Sequence, residues 1–147
     1  MNKWFLSLLL LTLMPTTWAE DKPFQTFDDY KVFYSIFNSS FIKPEIARAY
    51  NITRGKDYGL VNISVIKTSK SGDSLGLPAI VKGTAANLMQ QRKDLKFLEI
   101  IEKNAVYYLA QFRFANEEVL NFSIQVAPVP KQKTYELKFT KTLYVDP

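Results

Sequence analysis

The chain has 147 residues, of which 47% are apolar, and a formal net charge of +5. At roughly 150 residues per domain, this length predicts one globular domain. The sequence contains no Cys and no His, which excludes disulfide bonds, thiolate or imidazole metal ligands, Cys nucleophiles and His-dependent triads. We therefore expect a fold that is held together by core burial alone and that carries no cofactor.

The N-terminal residues have the pattern of a secretory signal peptide. Lys3 precedes an apolar run over residues 4–14, and small residues occupy positions −3 and −1 of a cleavage site after Ala19. The run is about half of the roughly 20 residues that a membrane span requires. We expect residues 1–19 to be removed on export, which leaves one domain over residues 20–147 and no transmembrane segment. An uncleaved anchor is the alternative.

Seven segments are predicted to be β-strands, most of them because apolar and polar residues alternate with a period of two and the others because they are rich in aromatic, β-branched or small residues. In chain order, these segments are 30–37, 58–67, 79–88, 95–101, 105–114, 119–128 and 134–145. The alternation is clearest near the C-terminus, where Leu120, Phe122 and Ile124 are separated by polar residues. In the third segment, the small residues Gly83 and Ala85 indicate that a neighbouring strand approaches closely.

A single short helix is predicted over residues 44–50, between the first two strands. Pro44 suits the first turn of a helix, and Glu45 and Arg48 are placed favourably for the helix dipole. About seven strands, one helix and no βαβ rhythm predict an all-β fold, a single antiparallel β-sandwich of immunoglobulin-like type. Short turns also predict a three-stranded meander over residues 95–126. A closed, lipocalin-like barrel is the alternative.

Catalytic motifs are not apparent in the sequence. The acidic pairs Asp28-Asp29 and Glu117-Glu118 fall in predicted turns, where adjacent carboxyl groups point apart and remain solvated. The chain has no phosphate-binding loop and no dinucleotide fingerprint. No basic run is longer than Arg92-Lys93, which argues against a nucleic-acid partner. We predict that the protein is not an enzyme.

One constellation lies in the segment that joins the first two predicted strands, which contains Asn38, Arg48, Tyr50 and Arg54. Arg48 can bond to Asn38 or to a strand carbonyl and so fix the helix in place, and we favour this structural interpretation. Alternatively, Arg48 and Arg54 flank a pocket for an anion or a carboxylate, with Tyr50 as one wall. These four are the candidate ligand-binding residues, and no residue is assigned as catalytic or metal-binding.

The same part of the chain carries a family resemblance. Residues 33–41 and 44–50, together with 59–65, 83–85 and 107–112, resemble domain-of-unknown-function family 4426. The likeness covers nearly the whole mature chain, with its pieces in the same order. It implies a small exported protein of Gram-negative proteobacteria that is located in the periplasm, and it brings no ligand and no catalytic residue.

Two functional hypotheses follow. The first is a non-enzymatic periplasmic binding or interaction module, whose partner is an envelope protein or a small ligand. Such a module can bind by strand addition at the edge formed by residues 30–37 or at the C-terminal strand that ends at Tyr144-Val145. Phe33, Phe37 and Phe41 would then supply contacts. The second is a small-ligand or anion-binding protein, or an enzyme, that uses the candidate residues between the first two strands.

Overall fold

The computed structural model describes residues 23–130 and 133–147, and the predicted signal peptide over residues 1–19 lies outside this range. The strands are β1 (Phe24–Phe27), β2 (Tyr30–Asn38), β3 (Tyr58–Ser69), β4 (Gly72–Asp73), β5 (Ala79–Ala86), β6 (Arg92–Leu95), β7 (Leu98–Glu102), β8 (Ala105–Arg113), β9 (Glu118–Pro128) and β10 (Tyr135–Leu143). Between β2 and β3 lie a 3-10 turn (Ser39–Phe41) and helix α1 (Pro44–Ala49). None of the helices in these residues is long and apolar enough to cross a membrane.

The strands form two antiparallel sheets. Sheet one has the order β1-β2-β3-β8-β7, with β4 paired to β3, and sheet two has the order β10-β9-β5-β6. In immunoglobulin-like sandwiches, strands A, B, E and D form one sheet, and G, F and C form the other. The order of sheet one, β2-β3-β8-β7, corresponds to strands A-B-E-D of that fold. The order of sheet two, β10-β9-β5-β6, corresponds to strands G-F-C-C′. The predicted sandwich is therefore confirmed, and no closed barrel forms.

The structure corrects the strand boundaries near the middle of the chain. The single strand predicted over residues 95–101 is two strands in different sheets, because β6 ends at Leu95 in sheet two and β7 begins at Leu98 in sheet one. Leu95 is buried, and Phe97 packs against the same core. The chain thus crosses the sandwich at this point without a break in its apolar pattern, which is why the alternation did not reveal the crossing.

The predicted meander over residues 95–126 is also wrong. Strands β7 and β8 pair as expected, with Leu98 opposite Leu109, but β9 pairs with β5 and β10 in sheet two. The chain between β8 and β9 keeps Phe114 buried, and the Phe114 amide donates a 2.9 Å hydrogen bond to the Asp57 carbonyl. The connection therefore crosses from one sheet to the other, as it does in sandwich folds.

The main core lies between the two sheets. Its fully buried side chains come from alternate positions of β2, β3, β9 and β10, namely Val32, Val61, Ile63, Val65, Leu120, Phe122, Ile124, Val126 and Leu137. Stacked rings extend this core between β2 and β10. The ring centroid of Phe139 lies 4.2 Å from that of Tyr34 and 4.8 Å from that of Phe122. Phe112 meets Phe122 edge to face at 5.4 Å, a favourable aromatic geometry.

Close packing at Gly83 confirms the expectation for β5. A Cβ atom at this position would lie 2.9 Å from both the Ser123 carbonyl oxygen and Cγ1 of Ile124. These distances are shorter than real Cβ atoms adopt, so β9 approaches β5 as closely as it does because residue 83 has no side chain.

A second apolar cluster covers the other face of sheet one. Because side chains alternate along a strand, Leu60 and Leu109 point away from the main core, yet both are buried. They are covered by Ala47 and Ile52 of the chain between β2 and β3, which we call the crossover (residues 39–57). The predicted helix is confirmed, and its buried face is what closes this side of the sandwich.

Replacing Leu60 by Ala should lower the free energy of unfolding by about 2–5 kcal/mol, because it leaves a cavity beneath the crossover. Urea denaturation measures this loss. Leu98→Ala is the matched control, since Leu98 is 45% exposed on β7 and its truncation should change stability by only about 0.5 kcal/mol. Equal losses in the two variants would contradict the assignment of Leu60 to a packed cluster.

Candidate functional site

One buried hydroxyl group, that of Ser39, joins the beginning of the crossover to its end. Ser39 is fully buried, and its Oγ accepts a 2.9 Å hydrogen bond from the Gly55 amide and donates a 3.2 Å bond to the Gly55 carbonyl. The first and last turns of the crossover are therefore joined through one side chain. Buried polar groups are costly when unpaired, so this reciprocal pair fixes the path of the chain around α1.

The four candidate residues are distributed along the crossover. Asn38 donates a 3.4 Å hydrogen bond from Nδ2 to the Tyr144 carbonyl, and Arg54 donates a 3.1 Å bond from Nη2 to the Ser40 carbonyl. Arg48 and Tyr50 are exposed at the C-terminal end of α1. Two of the four thus bind backbone carbonyls, and none of the four lines the grooves described below. Their role in ligand binding stays a prediction.

Contacts of the C-terminal residues were not foreseen from the sequence. Ser40 donates a 2.7 Å hydrogen bond to the Asp146 carboxylate, Lys56 donates a 3.1 Å bond to a Pro147 oxygen, and the Val145 amide donates a 3.0 Å bond to Oδ1 of Asn116. The end of the chain, which follows the last strand of sheet two, is thereby tied to the crossover of sheet one. Only tertiary proximity brings these distant positions together, so no local sequence signal marks them.

The Asp146 carboxylate should make these C-terminal contacts sensitive to acid. Hydrogen bonds from Asn38 and Ser40 lower the pKa of Asp146, and nearby Lys56 lowers it further. Because the pKa in the fold lies below the ordinary value, the stabilisation is complete above that value and is lost as the pH falls through the lowered pKa. NMR relaxation should therefore show residues 144–147 becoming more mobile in acid.

An Asp146→Asn variant should show the same mobility at neutral pH, because the neutral amide is a weaker acceptor than the carboxylate. Relaxation unchanged from that of the parent protein would mean that the C-terminal contacts do not depend on this charge.

Two substitutions in the crossover should differ in their effect on the free energy of unfolding, because one removes a hydrogen-bonded side chain and the other removes a side chain without a bonded partner. Ser39→Ala leaves the Gly55 amide without its partner and leaves the Gly55 carbonyl with only the 3.4 Å bond from the Tyr58 amide, so it should lower the free energy of unfolding by about 1–3 kcal/mol.

The predicted bond from Arg48 to Asn38 or to a strand carbonyl is not present, because the Arg48 side chain makes no hydrogen bond or ion pair with any other described residue and Asn38 bonds to Tyr144 instead. Arg48→Ala should therefore change stability by only about 0.5 kcal/mol. A large loss in Arg48→Ala would instead show that Arg48 fixes the helix.

The outer face of sheet two differs from that of sheet one because no segment of the described chain covers it. We call it the open face. Its outward side chains are Ile80, Lys82, Thr84, Asn121, Ser123, Gln125, Ala127, Glu136, Lys138 and Thr140. Pairing across β5 and β9 places Ile80 opposite Ala127 and Lys82 opposite Gln125. The surface therefore changes from apolar to polar along the strands.

A recessed groove of about 640 Å³ lies at the apolar end of the open face, and we call it the apolar groove. It is lined by Ile80, Lys82, Gln125, Ala127, Pro128, Val129, Pro130 and Thr134. Ile80 is 58% exposed and Val129 is 50% exposed, a large exposure for aliphatic side chains. A sequence signal for the groove exists, because Ile80 is a large apolar residue at an outward position of its strand.

Charges on the open face are unevenly paired. Glu136 lies 3.3 Å from Nζ of Lys138 and accepts a 3.3 Å hydrogen bond from Ser123. Lys82 has no carboxylate within 4.0 Å among the described residues, although Asp94 lies on the adjacent strand β6. Lys82 is also the sole charged residue among the eight that line the apolar groove. Among the described residues that line the groove, Lys82 therefore supplies the one charge, and that charge is in no ion pair.

The edges of the two sheets correct one of the predicted docking sites. Residues 30–33 of β2 are already paired with β1, which the sequence prediction missed, and the ring of Phe24 lies 5.0 Å from that of Phe33. Strand β10 pairs with β9 alone among the described strands, so the C-terminal edge is open. It nevertheless has Lys141 exposed at a position where the alternation would place an apolar side chain.

The aromatic residues proposed for an edge interaction do not share one environment. Phe33 and Phe37 are half-buried, whereas Phe41 is 75% exposed in the crossover. On the β10 side, Gln25 donates a 2.8 Å hydrogen bond from Nε2 to the Lys138 carbonyl, so one edge acceptor is already occupied.

The fold and its uncovered face define a small immunoglobulin-like β-sandwich protein. The family comparison is specific, because residues 24–146 match the domain of unknown function DUF4426, and the chain belongs to this family. The crystal structure of a DUF4426 family protein (PA0388) from Pseudomonas aeruginosa is 32% identical, with a TM-score of 0.74 over 84% of this chain and 95% of that one. No curated protein matches the sequence.

More distant structures share the fold alone. A copper-bound variant of FetP from uropathogenic Escherichia coli is 9% identical, with a TM-score of 0.62 over 84% of this chain and 90% of that one. FetP expressed recombinantly in the periplasm is 8% identical, with a TM-score of 0.59 over 84% and 94% of the two chains.

Proposed function

We propose that the protein is an exported, non-enzymatic binding module of the periplasm and that the open face is its binding surface. The observation that carries this proposal is the asymmetry of the sandwich. The crossover buries Leu60 and Leu109 on the outer face of sheet one, while the outer face of sheet two retains exposed Ile80 and an apolar groove. Exposed apolar surface of this kind is typical of an interaction site.

Export is supported by the sequence rather than by the described residues. The signal-peptide pattern over residues 1–19 is the main argument. The FetP structure obtained from periplasmic expression has the same fold, so this architecture is compatible with that compartment.

A role in binding rather than catalysis is supported by the chemistry of the side chains. The chain has no His and no Cys, and the part of it that the structure describes has no group of three or more acidic residues arranged to hold a metal. Copper in proteins is held chiefly by imidazole, thiolate and thioether ligands. The copper of the FetP variant therefore gives no reason to propose a copper site in this protein.

Site-specific photo-crosslinking in the periplasm tests which surface is used. A photoreactive residue at Ile80 should give a discrete adduct, and the adduct should be lost when Lys82 is also replaced by Glu. Ile101 on the edge strand β7 is the matched control, because it is 66% exposed and is also an isoleucine on a strand. Adducts of equal yield at Ile101, or at Ile101 alone, would mean that the open face is not the binding surface.

The crossover is a second candidate surface, since Arg48 and Tyr50 are both exposed at the C-terminal end of α1. An anion would then bind to the Arg48 guanidinium. If Arg48→Ala abolished binding without a change in stability, this alternative would replace the open face.

A further inference from the structure

We infer that the apolar groove takes an amphipathic monoanion, namely a small molecule with an aliphatic body and a single carboxylate head group, and that Lys82 binds the head group. This inference rests on the proposed function, because it names the ligand class of the same surface. It follows from the shape of the groove, from the distribution of its apolar residues and from its single charge.

The aliphatic body of the ligand is indicated by the apolar residues at the end of the groove that contains Ile80. Ile80 and Ala127 form its floor as directly opposed residues of β5 and β9, and Val129 and Pro130, which follow β9, continue the same apolar surface. The volume of about 640 Å³ lies within the range of roughly 300–1,000 Å³ found for small-molecule sites. An aliphatic chain lying there would remove the exposed parts of Ile80 and Val129 from water.

The negative head group of the ligand is indicated by the polar end of the groove, which contains Lys82. Lys82 and Gln125 are directly opposed across β5 and β9, so an ammonium group and a side-chain amide donor are available at one end of the apolar surface. Glu136, on the far side of Gln125, is engaged by Lys138 and Ser123. The positive charge of Lys82 is therefore available to a ligand.

A monoanion is favoured over a phosphate or a membrane surface. Phosphate sites usually combine several donors or an arginine fork, whereas Lys82 is the single basic residue among the described residues that line this groove. The groove is recessed between the β5–β9 floor and the Pro128–Pro130 segment, so one aliphatic chain can enter where a flat membrane surface cannot. Among small ligands, an alkyl carboxylate supplies both required features.

Calorimetric titration with decanoate, below its micellar concentration, tests the inference. Decanol and decyltrimethylammonium serve as neutral and cationic ligands of the same length. Decanoate should bind about three- to tenfold more tightly than decanol, and the cation should bind more weakly than decanol. The amide NMR signals of Ile80, Lys82 and Ala127 should shift on addition of decanoate.

Three variants locate the two parts of the site. Lys82→Gln should remove the preference for decanoate over decanol while aliphatic binding remains. Lys138→Gln is the matched control on the same face and should keep the preference, because Lys138 is already paired with Glu136. Ile80→Asn should weaken the binding of all three ligands, because it removes aliphatic surface without adding a charge, and circular dichroism should confirm that each variant is folded.

The outcomes separate this inference from the proposed function. Equal affinities for decanoate and decanol, or a preference that survives Lys82→Gln, would overturn the anionic head group, even if Ile80 crosslinking still marks the open face. Binding to phosphatidylglycerol vesicles without binding to free decanoate would overturn it in favour of a membrane contact. Failure of the Ile80 crosslink together with no ligand binding would overturn both proposals.

Discussion

The packing of the crossover against sheet one determines which surface of this protein is available. Leu60 and Leu109 would be a solvent-exposed apolar pair if the chain passed directly from β2 to β3. Instead, Ala47 and Ile52 cover them, and the Ser39–Gly55 hydrogen bonds hold the covering segment in place. Sheet one is thus buried on both faces over this region, whereas the opposite sheet keeps the exposed apolar groove. A sandwich without disulfide bonds gains stability from this additional burial.

Much of the architecture follows from alternation alone. The inward positions of β9 and β10 are those that the sequence indicates, and the helix at Pro44 begins where its proline suits the first turn. Alternation shows which side chains are buried, but it does not show which strands are neighbours, because both sheets face the same core. For this reason the predicted strand contains both Leu95 and Leu98 although the chain changes sheets between them. The edge strand β1 was missed because it has only four residues.

The candidate site shows the same limit. Residue type singled out the crossover, since Arg48, Tyr50 and Arg54 are the residues that anion pockets commonly use, and the structure shows that Arg54 binds a backbone carbonyl. The apolar groove is assembled from β5, β9 and the chain beyond β9, and its members are ordinary aliphatic residues. Only their shared position on an uncovered face distinguishes them. Ile80 was the one local sign, because an isoleucine at an outward strand position is exposed unless something covers it.

The charge of Lys141 has a consequence for how the molecule behaves at high concentration. Strand β10 is a nine-residue edge, and an edge of that length can pair with the same strand of another copy and start a continuous intermolecular sheet. Lys141 occupies a position at which an apolar residue would extend the core towards such a neighbour. A second copy would have to remove its ammonium group from water, so the edge resists polymerisation while the adjoining open face stays accessible.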